Sequence, residues 1–60
     1  MSQHTVDVSG QRYAVQVYQY ADHLWIADGK FLGHQLRTIA STVKKAVMAW
    51  QNAAVKKSVA

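Results

Sequence analysis

The chain has 60 residues, of which 50% are hydrophobic and 17% charged, with no proline and three glycines; one small domain fits, and collagenous, low-complexity and fully disordered chains are excluded. Seven Lys and Arg outnumber three Asp, there is no Glu, and the net charge is +4, a balance that points to nucleic acid or another anionic surface. There is no cysteine, no apolar run long enough for a membrane span and no basic-then-apolar leader, which predicts a cytoplasmic protein without disulfides, membrane anchor or signal peptide.

Three turn signals organise the first 36 residues. Ser9-Gly10 pairs Val8 with Gln11, Asp7 with Arg12 and Val6 with Tyr13. A turn at Ala21-Asp22 would pair Tyr18 with Trp25 and Val17 with Ile26. Asp28-Gly29, the strongest hairpin dipeptide in the chain, would pair Ala27 with Lys30 and Ile26 with Phe31. Residues directly opposite in a hairpin share a face. One face then collects Val6, Val8, Tyr13, Val15, Val17, Leu24, Ile26 and Phe31. The other collects Arg12, Gln16, Tyr18, Tyr20, His23, Trp25, Ala27, Lys30, Leu32, His34 and Leu36. The first reads as an aliphatic core face, the second as aromatic and mixed polar.

The C-terminal segment predicts a helix from Ser41 or Thr42, either of which can cap it. Val43, Ala46, Val47, Trp50, Ala53 and Ala54 fall on one face, and Lys44, Lys45, Gln51, Asn52 and Lys56 on the opposite side. Met48, Val55 and Val59 form a second, minor apolar stripe. The predicted class is therefore α+β: an antiparallel β-meander of three to four strands, with one C-terminal α-helix packed on one sheet face, in a single ββββα domain over residues 1–60.

Charge is segregated along the chain. Residues 1–40 are neutral overall, whereas residues 41–60 carry Lys44, Lys45, Lys56 and Lys57 and no acid. Lys44 and Lys45 stand in or near the first helical turn, where positive charge opposes the helix dipole and a phosphate would be welcome. The ingredients of catalysis are scarce: Glu and Cys are absent, the Asp residues sit in or beside expected turns, and His4, His23 and His34 are scattered. His23 and His34 become cross-strand neighbours in the expected register, two ligands where a metal site needs three or four. The expectation is a non-catalytic binding protein with no metal, no cofactor and no small-molecule substrate.

One helix covers one sheet face, so the aromatic face is expected to need a partner. A second copy of the chain would meet it through Tyr18, Trp25, Leu32 and Leu36, with Met48 and Val55 at the edge. DNA or RNA would instead use Arg12, Tyr18, Tyr20, Trp25, Lys30, Arg37, Lys44 and Lys45, the rings stacking on bases and the cations meeting phosphates. A homodimeric interaction module without nucleic acid is the alternative.

The Trp25-Ile26-Ala27 string, the glycine-containing strand after it, Thr42 spaced from Ala46, and Ala53-Ala54 resemble the small sheet-plus-helix DNA-binding domains of the AP2 and phage-integrase N-terminal type. That resemblance spans roughly residues 12–55 and rests on few, common residues. It implies a sheet face that enters the major groove, with Trp25, Arg12, Lys30 and Arg37 facing the DNA. The strands here are not arginine-rich, unlike that family's. The run from Thr42 to Ala46 is also similar to the last helix of double-stranded RNA-binding domains.

Overall fold

The computed structural model describes residues 2–59, with side-chain burial over 3–57. Its strands are β1 (Ser2–Val8), β2 (Gln11–Ala21), β3 (Leu24–Phe31) and β4 (His34–Ala40), antiparallel and adjacent in chain order. One helix, α1 (Val43–Val59), packs on one side of this sheet. The architecture is the expected α+β meander with a C-terminal helix.

The first hairpin forms in the expected register. Ser9 and Gly10 adopt φ of 52° and 81°, the paired left-handed geometry of a type I′ turn. Val8 meets Gln11, Asp7 meets Arg12 and Val6 meets Tyr13.

The second hairpin differs by one residue. Its turn lies at Asp22-His23, with His23 at φ 60°, and the register shifts between Gln19 and Ala21, around Tyr20. Val17 therefore meets Ala27, Tyr18 meets Ile26 and Gln19 meets Trp25. A one-residue slip exchanges the faces beyond it. Trp25 and Ala27 accordingly join the helix side, and Leu24 and Ile26 the open side.

The third hairpin is displaced further. Asp28-Gly29 runs through β3, and the chain reverses at Leu32-Gly33, φ 53° and 82°. Phe31 meets His34, Gly29 meets Leu36 and Asp28 meets Arg37. The reason lies under the helix. A Cβ on Gly29 would stand 2.8 Å from the Ala14 carbonyl oxygen and 3.3 Å from Trp50 Cζ2. The glycine admits the Ala14 carbonyl and, next to it, the indole, instead of turning the chain. Leu36, expected on the aromatic face, falls on the helix side with Gly29.

The core joins Val6, Val8, Val15, Val17, Ala27 and Phe31 of the sheet to Ala46, Trp50 and Ala54 of α1. Trp50 is fully buried, and its Nε1–H donates to the Leu36 carbonyl at 2.9 Å. Its ring meets Phe31 edge-on at 6.2 Å, and Tyr13 stacks at a tilt on Phe31 at 4.9 Å. The alanines at helical spacing on either side let the helix approach closely, so the indole reaches the sheet.

Thr42 caps the helix: Lys45 N–H donates to its Oγ1 at 3.2 Å, and Ala46 N–H to its carbonyl at 2.9 Å. Two side-chain bonds tie α1 to the edge strands. Thr38 Oγ1 donates to the Ala46 carbonyl at 3.0 Å, and Gln51 Nε2 to the Asp7 carbonyl at 2.8 Å.

Candidate functional site

The sheet face away from α1 is built of two cross-strand rows. Tyr18, Ile26 and Ile39 form an apolar row. Ile26 at its centre is buried, whereas Ile39 on the edge strand is 59% exposed. The neighbouring row runs Gln3, Gln16, Asp28, Arg37. Asp28 accepts from Gln35 Nε2 at 3.1 Å on both carboxylate oxygens and from Arg37 Nη2 at 3.4 Å. Arg12 stands 3.6 Å from Asp7 at the far edge, both largely exposed. Two of the sheet's three cations are thus already matched by acids. Lys30, opposite Gln35, is exposed and takes part in no ion pair among the described residues.

The residues expected to form one aromatic platform are divided. Tyr18 lies on the open face. Tyr20 projects at the irregularity in β2 and is 71% exposed. Trp25 packs against the core on the helix side, as does Leu36. The open face therefore lacks the tryptophan that the sheet-reading resemblance assigns to it. The expected dimer residues are divided too: Tyr18 on the sheet, Trp25 and Leu36 under the helix, Leu32 at a hairpin tip, Met48 and Val55 exposed on α1. Val59 lies outside the residues with described side chains.

Lys44, Lys45, Lys56 and Lys57 are all exposed, and none joins an ion pair among the described residues. The first turn of α1 has no acidic residue, and its last turn carries Lys56 and Lys57. The last pair complements the helix dipole, and the first pair opposes it. Lys44 borders a groove of about 390 Å³ with His4, Val43, Val47 and Met48. Lys57 borders another, of about 400 Å³, with Phe31, Leu32 and His34.

His23 and His34 are not neighbours. His23 sits in the β2–β3 turn and His34 beside Phe31, so the length of β3 separates them. Among the described residues no group of three or more His, Cys, Asp or Glu could hold a metal, and no polar or charged side chain is buried. No described helix is long and apolar enough to cross a membrane. The feature that sequence reasoning passed over is the Leu32-Gly33 turn. Its glycine was a signal, but leucine is a poor residue for the left-handed position, and Asp28-Gly29 is the stronger dipeptide.

No protein-family model matches the chain, and neither a curated protein nor a solved structure matches it significantly.

Proposed function

We propose that this is a small non-catalytic binding protein that engages nucleic acid through the lysines of α1. The observation that carries the reading is the distribution of matched and unmatched charge. Arg12 and Arg37 stand within ion-pair distance of Asp7 and Asp28, whereas the four helix lysines project into solvent with no acid partner among the described residues. Lys44 and Lys45 in the first turn each cost the helix about 0.3–1 kcal/mol against its dipole. A polyanion bound there offsets that cost. Relative to the residues expected from sequence, the contact set shifts from the sheet arginines and Trp25 toward Lys44, Lys45, Lys56 and Lys57.

Purification without nuclease tests the reading. Nucleic acid is expected to accompany the protein at low salt and to leave on a high-salt wash, lowering the 260/280 nm absorbance ratio. The Lys44→Glu/Lys45→Glu variant should purify free of it. Wild-type protein that purifies free of nucleic acid at low salt, and binds none when it is added back, contradicts the proposal.

The second reading is a homodimer, favoured by the Tyr18–Ile26–Ile39 row on the uncovered sheet face. Analytical ultracentrifugation decides it: a monomer at high concentration removes it, and an Ile39→Lys variant should convert a dimer to monomer.

A further inference from the structure

The β3–β4 hairpin tip is built against local preference. Leu32 holds φ 53° and Gly33 φ 82°, the type I′ geometry that asparagine and glycine adopt with least strain. Burial does not compensate the leucine, which is 64% exposed. A strained, exposed apolar residue at a turn is a reason to look for a function there. A lysine stands on each side of the tip, Lys30 on one and Lys57 on the other. Lys30, opposite Gln35, lies on the open face of the sheet. His34, opposite Phe31, lies on the helix side, where it shares a groove with Leu32 and Lys57. No Asp or Glu follows Asp28 in the chain.

An apolar tip flanked by cations on both faces matches a groove whose two walls are phosphate and whose floor is base-pair edges, between which an apolar side chain can insert. We infer that Leu32 is an apolar wedge that the β3–β4 hairpin inserts into the minor groove of duplex DNA at a base step, with Lys30, His34 and Lys57 facing the flanking phosphates. The inference rests on the nucleic-acid reading above and adds to it the form of nucleic acid and the mode of contact. Insertion partly unstacks the step and bends the duplex, most easily at a flexible TA step.

The test uses the full chain and a duplex with a central TA step, labelled at both ends so that energy transfer reports bending and anisotropy reports affinity. Wild type should bind and bend it. Leu32→Asn places a favoured residue in the turn and should raise Tm by about 4–8 °C, the shift of a modest gain in a domain this small. It should also weaken duplex binding roughly tenfold, because the contacts that the bend permits are lost with it, and abolish bending. Leu32→Met should retain both. Lys44→Ala/Lys45→Ala should weaken binding yet bend the duplex at saturation. Binding without bending by wild type, or equal bending by Leu32→Asn, overturns the wedge and leaves the lysine contacts standing. Binding to single strands but not to duplex also overturns the wedge alone. No binding to any oligonucleotide overturns both.

Discussion

Gly29 lies against the Ala14 carbonyl and the edge of the Trp50 indole, where a side chain would crowd both. Trp50→Ala removes the largest fully buried side chain and should cost about 3–5 kcal/mol, the range for a large aromatic lost from a core. A 60-residue domain has little more stability than that to lose, so circular dichroism should show the variant largely unfolded. Gly29→Ala presses a methyl group against the Ala14 backbone carbonyl at 2.8 Å and should cost about 1–3 kcal/mol, as overpacking does. A urea titration beside wild type measures it, and unchanged stability would show that the sheet yields at that point. Trp25→Ala in the same titration should cost less than Trp50→Ala, because Trp25 packs at the margin of the core and is only partly buried.

At the scale of elements, the start of α1 sets a good cap against two adverse charges. Thr42→Ala removes the acceptor for Lys45 N–H and should cost about 1 kcal/mol. Lys44→Ala/Lys45→Ala should do the reverse and raise Tm at low salt, with the gain shrinking as salt screens the dipole. Melts at two ionic strengths check this, and a lower Tm would mean that the lysines serve the folded monomer. The helix was legible because its apolar spacing, its cap and its central tryptophan agree. The first hairpin was legible because Ser9-Gly10 sits between strands whose valines alternate. The second and third hairpins were not. Around Tyr20 the register shifts, which alternation alone cannot reveal. Asp28-Gly29 has the composition of a turn but serves two strand roles: the aspartate holds Gln35 and Arg37 on one face, and the glycine admits Trp50 on the other. Local turn preference lost there to packing across the sheet.

At the scale of the molecule, among the described residues α1 covers one side of the sheet only, and unmatched positive charge belongs chiefly to the helix. The expected aromatic platform was the least legible part of the candidate site. It depended on the face of Trp25, which a single residue of register decides. The basic helix depended only on composition and helical spacing, and its lysines are exposed where the sequence put them. The central claim is that those lysines contact phosphate, and salt dependence of binding tests it most directly. Fluorescence anisotropy on a labelled duplex at several salt concentrations should give a slope of log K against log salt of about −3 to −4, from four contacts at roughly −0.9 each. Lys44→Ala/Lys45→Ala should flatten it by about 1.5–2, while Arg12→Ala and Arg37→Ala should leave it close to wild type. A slope near zero, no binding at low salt, or a slope lost with the arginines and kept without the lysines would contradict the account.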